Sequence, residues 1–219
     1  MLLADKRKIA SNPFFIFPFL VWVATGAFLL LFFSKRDLFF VPNTHYSDFA
    51  DVVMFYTTWM GQGEVIIPVL VFLMLFRRFR NWWYFATASV CNLIPFFIQQ
   101  ILKSVFDSPR PRLLFYDRLW MHYLPEWPVY LSRGFPSGHS TGAFSFFCFL
   151  SLLLTARYKA FGIVFFILAL AVCYSRMYLA AHFFDDVYAG SILGTILTMI
   201  LFNIMDQNKS KFFKKIPTA

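Results

Sequence analysis

The sequence predicts an all-α integral membrane protein, built as a bundle of about six transmembrane helices. Composition is the first observation: 59% of the 219 residues are hydrophobic and only 14% are charged, whereas soluble domains carry about 25% charged residues. Phe alone contributes 32 residues. The second observation is that the apolar residues form blocks of about 20, the length of a helix that spans a bilayer.

Each apolar block predicts one helix. The blocks are Pro13–Phe33, Val52–Phe76, Trp82–Leu102, Ser140–Ala156, Phe161–Tyr178 and Val187–Met205. The first is too long for a signal peptide, so we expect a helix of the mature protein. Gln62 and Glu64 interrupt the second, and Asp48–Gly63 is therefore expected to be an interfacial lead-in. No hydrophilic stretch is long enough for another domain, so residues 1–219 are predicted to form a single membrane domain.

Basic residues predict the orientation, because cytoplasmic segments of membrane proteins are enriched in Lys and Arg. The basic residues precede the first block, follow the sixth, and occupy the second-to-third and fourth-to-fifth connections: Lys6, Arg7, Lys8, Arg77, Arg78, Arg80, Arg157, Lys159, Lys209, Lys211, Lys214 and Lys215. Both termini are then cytoplasmic, and Ser34–Asp51, Lys103–Phe135 and Leu179–Asp186 lie outside. The same bias explains the net charge of +9 without nucleic-acid binding.

The connection Lys103–Phe135 is rich in aromatic residues, which favour the headgroup layer of a bilayer. These residues are Phe115, Tyr116, Trp120, Tyr123 and Trp127. The connection is expected either to rest on the membrane or to form a rim that meets a lipid headgroup, and the two interpretations are compatible.

The first of three polar clusters lies at the start of this connection. Lys103 ends a predicted membrane helix, and Pro109 and Pro111 favour an extended exit around Arg110. Taken alone, the two cations are either headgroup anchors or ligands of an anion.

The second cluster is Pro136-Ser137-Gly138-His139, directly before an apolar block. The N–H groups of a first helical turn, together with the helix dipole, form an anion site. Gly138 lets the backbone approach a ligand closely, and His139 would lie at the rim. An ordinary helix start is the alternative.

The third cluster contains Ser175-Arg176, His182 and Asp186. A spacing of four residues puts His182 and Asp186 on one face of a helix, where the carboxylate can fix the imidazole tautomer. Asp185 is also within reach, so spacing leaves both aspartates open. Arg176 is costly at a membrane boundary unless it binds an anion.

Together the clusters predict a phosphate site with two histidines, on the outer face. Metal binding is the rival chemistry, but zinc sites usually take three or four ligands at recognisable spacings. His45 and His122 lie in loops, and three cations would repel a divalent ion. We therefore expect no metal and no cofactor.

In combination the clusters resemble the three-part motif of the type 2 phosphatidic-acid phosphatase superfamily, with no departure in residue type or in the two fixed spacings. The matching residues are Lys103, Arg110, Pro111, Pro136, Ser137, Gly138, His139, Ser175, Arg176, His182 and Asp186.

The resemblance implies a metal-independent phosphatase that forms a phosphohistidine intermediate. It implies that His182 is the nucleophile, that Asp186 rather than Asp185 supports it, and that His139 protonates the leaving oxygen. It also implies a set of residues that bind the phosphoryl oxygens: Lys103, Arg110, Ser137, Gly138, His139 and Arg176.

A site at headgroup level favours a lipid phosphate or lipid diphosphate as substrate. Small members of this family resemble bacterial inner-membrane enzymes, which implies a site that faces the periplasm or the exterior. Candidate substrates are undecaprenyl diphosphate, phosphatidylglycerol phosphate, phosphatidate and the phosphates of lipid A, and no motif residue chooses between them.

Several alternatives remain at this stage. The same phosphohistidine would serve a lipid phosphotransferase, and a soluble sugar phosphate is a further possible substrate. Vanadate-dependent haloperoxidases share the phosphate-site residues but resemble larger soluble proteins. A transporter or a non-catalytic lipid-phosphate-binding protein belongs to a different class. The sequence contains no inverted repeat of the kind found in transporters, and no nucleophile or phosphate-binding residue of the motif is missing.

Overall fold

The computed structural model describes residues 9–115, 118–125 and 130–212. All the regular secondary structure in these ranges is helical and they contain no strand, which confirms the all-α class. Several residues used above lie outside the described ranges: Lys6, Arg7, Lys8, Tyr116, Trp127, Lys214 and Lys215.

The helices of the described ranges are α1 (Pro13–Phe32), α2 (Lys35–Thr44), α3 (Asp48–Thr57), α4 (Gly63–Leu73), α5 (Trp82–Phe106), α6 (Pro111–Phe115), α7 (Gly138–Leu153), α8 (Gly162–Tyr178), α9 (Phe184–Gln207) and α10 (Lys209–Phe212). The turns Thr58–Gly61 and Ala156–Phe161 are 3-10 helical.

Within the described residues, four helical stretches are long and apolar enough to cross a membrane: α1, Trp82–Phe115 with α5, Ala156–Tyr178 with α8, and α9. They confirm that the chain is a membrane protein, and α1 exposes large apolar side chains such as Phe17 and Leu31. Helices α4 and α7 are also apolar but have only 11 and 16 residues. The total of about six spans stays a prediction.

Local sequence explains where these helices begin. The side chain of Asn12 accepts the Phe14 N–H at 3.0 Å directly before Pro13, and the side chain of Asn81 accepts the Tyr84 N–H at 2.9 Å. Such N-caps satisfy N–H groups that have no partner in the first turn of a helix.

The block Val52–Phe76 is not one helix. It divides into α3, the turn Thr58–Gly61 and α4, in agreement with the lead-in expected before Glu64. The physical reason is the contact of Gly61 with α7, where a Cβ on Gly61 would lie 2.4 Å from the His139 carbonyl oxygen. This close approach bends the chain away from a straight span.

Helix α7 lies at the centre of the bundle, where it packs against α5, α8 and α9. Two glycines of α9 allow this helix to approach α7 closely. A Cβ on Gly190 would lie 2.6 Å from the Ser137 carbonyl oxygen, and one on Gly194 would lie 2.5 Å from the Thr141 carbonyl oxygen. Small residues at helix crossings bring two backbones together in this way.

The basic segments meet at one end of the bundle. Lys159 Nζ donates to the Ser11 carbonyl at 3.2 Å, and Arg78 Nη2 donates to the Leu153 carbonyl at 2.6 Å. Lys209 Nζ lies 4.0 Å from the centroid of the ring of Trp83. The three polar clusters lie at the opposite end, because α5 and α8 run towards it and α7 and α9 begin there. A cytoplasmic position of the basic end stays a prediction.

Candidate active site

Most of the predicted site residues line one cavity of about 900 Å³ at the end of the bundle opposite the basic segments. The cavity-lining members are Lys103, Arg110, Gly138, His139, Arg176 and His182. Helices α5, α7 and α8 and the connections before α6 and α9 contribute them. The fold thus brings together three clusters that lie far apart in the sequence.

His182 lies in the short connection before α9, and not on the same helix as Asp186. The expectation that one helical face carries both residues is therefore wrong, although the two side chains do meet. Asp186 is in the first turn of α9, where its Oδ2 accepts the Phe183 N–H at 2.9 Å and lies 3.3 Å from His182 Nδ1. The contact forms because the carboxylate that caps the helix turns back towards the residues before it.

The neighbouring aspartate has a different partner. Asp185 accepts a bond from Lys35 Nζ at 2.8 Å, on the α2 side of the bundle. Asp186 is therefore the carboxylate that contacts His182.

The His182 imidazole is 1% exposed in its side chain and neutral near pH 7. Burial is the largest cause that lowers its pKa well below 6.5, and the positive charges of Arg110, Arg176 and Lys103 and the neighbouring His139 lower it further. With its Nδ1 proton directed at Asp186, the ring presents the Nε2 lone pair to the cavity. Arg110 Nη1 lies 3.3 Å from this Nε2.

Arg110 is held rigidly, with 6% of its surface exposed. Its Nε donates to the Ser132 carbonyl at 2.9 Å, Nη1 to the Ala181 carbonyl at 3.0 Å and Nη2 to the Arg133 carbonyl at 3.3 Å. A guanidinium fixed in this way inside a cavity is not a headgroup anchor.

Arg176 and Lys103 complete the cationic wall. Arg176 is 2% exposed and its Nη1 donates to Thr58 Oγ1 at 2.8 Å, while Lys103 is half-buried at the end of α5. Three cations that converge on one cavity repel one another, and a bound anion removes that repulsion. The arrangement is therefore suited to a phosphoryl group.

The second motif forms the start of α7. Ser137 Oγ accepts from the Ser140 N–H at 3.3 Å and from the Ser140 hydroxyl at 2.9 Å, so it is the N-cap of this helix. Gly138 and His139 follow it in the cavity wall, where the first N–H groups of a helix attract an anion. Direct contact of Ser137 with phosphate stays a prediction, since its hydroxyl oxygen accepts the hydrogen bonds that cap α7.

Two residues that sequence reasoning missed contact the predicted site. Gln62 Nε2 lies 2.8 Å from His139 Nε2, and Thr58 Oγ1 accepts the bond from Arg176. The polar Gln62 between two glycines in an apolar block was the only available signal, and nothing in the sequence pointed to Thr58.

Among the described residues, no group of three or more His, Cys, Asp and Glu side chains lies together in a way that could hold a metal ion. His122 pairs instead with Asp51 at 2.7 Å, where it belongs to the connection that packs on α3. Metal-independent chemistry stays a prediction.

The cavity continues from the cationic wall to a mainly apolar groove lined by residues of α4 and α5. Ile66, Ile67, Leu93 and Phe96 supply its apolar lining, beside the polar side chains of Glu64 and Asn92. Phe115 and Trp120 of the aromatic connection pack on Phe39 and are not part of the groove.

Comparisons with known proteins identify a matching family and a similar sequence. A model of the PAP2 superfamily matches residues 82–210. The chain is 30% identical over 168 residues to an undecaprenyl-diphosphatase from Sulfolobus acidocaldarius, and the match covers 75% of each protein.

Two solved structures are also similar. LpxE from Aquifex aeolicus superposes with a TM-score of 0.62 at 28% identity, over 78% of this chain and 97% of that one. A PAP2-type phosphatidylglycerolphosphate phosphatase from Bacillus subtilis superposes with a TM-score of 0.61 at 20% identity, over 93% and 98%, and shares the fold.

Proposed function

The chain belongs to the PAP2 superfamily, and from this premise we propose that it is a membrane phosphatase that releases phosphate from a lipid phosphate or lipid diphosphate. The family assignment confirms the resemblance to the type 2 phosphatidic-acid phosphatases, which was inferred from the three motifs. We further propose that the reaction proceeds through phosphohistidine without a metal ion.

One observation carries the proposal of a lipid substrate. The cavity has a cationic end at His182 and a mainly apolar groove lined by residues of α4 and α5, so its two parts match the two parts of an amphiphile. Ligand sites are mostly apolar, with a few polar groups that fix orientation. A soluble phosphate would leave the groove unused.

The first half-reaction transfers the phosphoryl group to His182. The Nε2 lone pair forms a bond to phosphorus while the bond from phosphorus to the leaving oxygen breaks, and His139 donates a proton to that oxygen. Lys103, Arg110 and Arg176 balance the charge of the phosphoryl oxygens. Protonation of the leaving oxygen contributes about 10²- to 10⁴-fold in rate.

The second half-reaction releases phosphate. His139, now neutral, takes a proton from a water molecule as its oxygen attacks phosphorus, and the bond between phosphorus and His182 Nε2 breaks. Asp186 stabilises the positive charge on the His182 ring while it carries the phosphoryl group. Covalent capture divides a difficult displacement into two easier steps.

The relatives support this substrate class. One is named for undecaprenyl diphosphate and another for phosphatidylglycerolphosphate. We propose that the chain acts on a substrate of this kind, from a single membrane domain of about six spans. Its termini would be cytoplasmic and its site would face the exterior, or the periplasm if the membrane is a bacterial inner membrane.

The test is a phosphate-release assay with the purified protein on phosphatidate, phosphatidylglycerol phosphate and undecaprenyl diphosphate. We expect release from at least one substrate, undiminished in excess chelator, and no release by His182→Ala. Activity lost in chelator and restored by a divalent ion contradicts the metal-independent mechanism. Phosphate that appears only on an added acceptor lipid identifies a phosphotransferase instead. Binding without turnover indicates a non-catalytic protein.

A further inference from the structure

We propose that the segment Thr58–Gln62, which lies outside the three motifs and outside the matched range 82–210, is part of the catalytic site. In this proposal Gln62 positions His139, and Thr58 positions Arg176. The inference rests on the proposed phosphatase reaction, because His139 and Arg176 take their roles from it.

The backbone of this segment lies directly on the first turns of α7. A Cβ on Gly61 would come within 2.4 Å of the His139 carbonyl oxygen, and a Cβ on Gly142 within 2.6 Å of the Gly61 carbonyl oxygen. Contacts this short to backbone atoms leave no room for a larger residue at either position. The segment is therefore held at a fixed distance from His139.

Gln62 directs its side chain to the site and not to its own helix. It occupies the N-cap position of α4 but makes no side-chain capping bond, and its amide nitrogen lies 2.8 Å from His139 Nε2. A glutamine amide can present either its nitrogen or its oxygen to this ring atom, so it can hold the imidazole with Nε2 as acceptor or as donor.

The same side chain also fits the protonated ring. When His139 carries a proton on Nε2, rotation of the Gln62 amide presents Oε1, which accepts from that N–H. The proposed reaction needs His139 first as an acid and then as a base. With Nε2–H bonded to Gln62 Oε1 in both states, Nδ1 gives its proton to the leaving oxygen and then takes one from the attacking water, while glutamine keeps the ring in one orientation.

Thr58 acts on a second residue of the cavity wall, Arg176. Its side chain is 0% exposed, and Oγ1 accepts the bond from Arg176 Nη1 at 2.8 Å. A buried hydroxyl bonded to a guanidinium fixes the direction of the remaining N–H groups. One short segment thus orients the acid–base residue and one of the phosphate-binding cations.

The test compares two substrates that differ in leaving group. Phosphatidate releases an alkoxide that needs a proton, whereas 4-nitrophenyl phosphate releases a stabilised phenolate that does not. The ratio kcat/KM reports the steps up to phosphoryl transfer to His182, which include departure of the leaving group. If Gln62 had only a structural role, its substitution would change kcat/KM by the same factor for both substrates.

Gln62→Met keeps the length of the side chain and removes its hydrogen bonds. We expect kcat/KM for phosphatidate to fall about tenfold or more, a fraction of the contribution of an acid catalyst, and kcat/KM for 4-nitrophenyl phosphate to fall less than about threefold. Should this variant fail to fold, as judged by gel filtration and melting temperature, Gln62→Asn is the second variant, because its shorter amide does not reach Nε2.

Thr58→Val gives the complementary result. It is expected to lower kcat/KM for both substrates by the same factor, about tenfold, because Arg176 binds the phosphoryl oxygens whatever the leaving group. The matched control is Thr57→Val, which removes a neighbouring hydroxyl and keeps the bond between Arg176 Nη1 and Thr58 Oγ1, and it should leave both values within about twofold.

The proposal is overturned if Gln62→Met lowers kcat/KM by the same factor for both substrates, or lowers it for neither. A failure of the proposed function looks different, because the unmodified protein then releases no phosphate from phosphatidate, phosphatidylglycerol phosphate or undecaprenyl diphosphate.

Discussion

The Ser137 backbone N–H donates to the Asp186 carbonyl oxygen at 3.0 Å, which joins the second motif to the third. Both residues stand at the start of a helix, Ser137 as the N-cap of α7 and Asp186 in the first turn of α9. The bond therefore fixes the two helix starts to each other. His139 follows one of them and His182 precedes the other, so the bond holds both histidines in the wall of the same cavity.

Asp186→Asn tests the support of His182, with Asp185→Asn as the matched control. An asparagine that donates its amide to Nδ1 moves the ring proton to Nε2, the nitrogen that must attack phosphorus. We expect kcat to fall about 10²- to 10⁴-fold, as wrong-tautomer variants do. Asp185→Asn removes only a partly exposed ion pair with Lys35 and should stay within about threefold. Equal losses in the two variants contradict the assignment of Asp186.

The ionisation of His182 gives a second prediction. Because its folded-state pKa lies well below 6.5, the unfolded chain binds more protons in the interval between the two values. The free energy of unfolding therefore falls as pH decreases from 6.5 towards the folded pKa. In the same interval the native ring stays neutral and nucleophilic.

Nuclear magnetic resonance of protein labelled with ¹⁵N-histidine checks this prediction. The expected signal is a neutral ring with its proton on Nδ1, unchanged as pH falls through 6.5. His182→Asn identifies the resonance by its loss. A His182 signal that titrates at the ordinary value contradicts the lowered pKa.

Arg110→Lys is predicted to be damaging although it preserves charge. Arg110 donates from three different nitrogens to the carbonyls of Ser132, Ala181 and Arg133, and a lysine ammonium cannot reproduce this planar pattern. We expect kcat/KM to fall about 10²-fold, the order of magnitude for loss of a fixed electrostatic donor. Arg157→Lys, an equivalent change at the basic end of the bundle, should leave activity within about twofold. Similar values for both variants would show that charge alone suffices at residue 110.

A feature of the fold could be predicted from the sequence where neighbouring residues in the chain determine it. The bounds predicted for the first and fifth apolar blocks differ by one residue from those of α1 and α8. A continuous apolar run can be recognised without information about the elements that pack against it. The polar residues Gln62 and Glu64 indicated that the second block is interrupted. The contact of Gly61 with α7, about 80 residues away in sequence, could not be predicted from a local pattern.

The site shows the same division. The motif residues could be found because each cluster is short and chemically unusual. The choice between Asp185 and Asp186 depends on the bend before α9, and the part played by Thr58 depends on a buried contact with Arg176. Both are tertiary relationships that spacing alone leaves open.

Gly190→Ala tests whether the close crossing of α7 and α9 maintains the site, and Gly63→Ala is its control. At residue 190 a Cβ would lie 2.6 Å from the Ser137 carbonyl oxygen, a backbone atom that can move only if the helices separate. Separation would lengthen the bond between Ser137 and Asp186 and displace His139 from His182. We expect a melting temperature lower by several degrees, in line with about 1–3 kcal/mol for overpacking, together with a loss of kcat.

At Gly63 the nearest atom to a Cβ is 3.7 Å away, at the flexible end of Ile67. Gly63→Ala lies in the first position of α4, so it should leave the melting temperature unchanged or raise it slightly, because alanine favours a helix by up to about 1 kcal/mol over glycine. The comparison separates a steric effect at the helix crossing from a general intolerance of substitution. If Gly190→Ala keeps both its melting temperature and its activity, the crossing does not determine the distance between the two histidines.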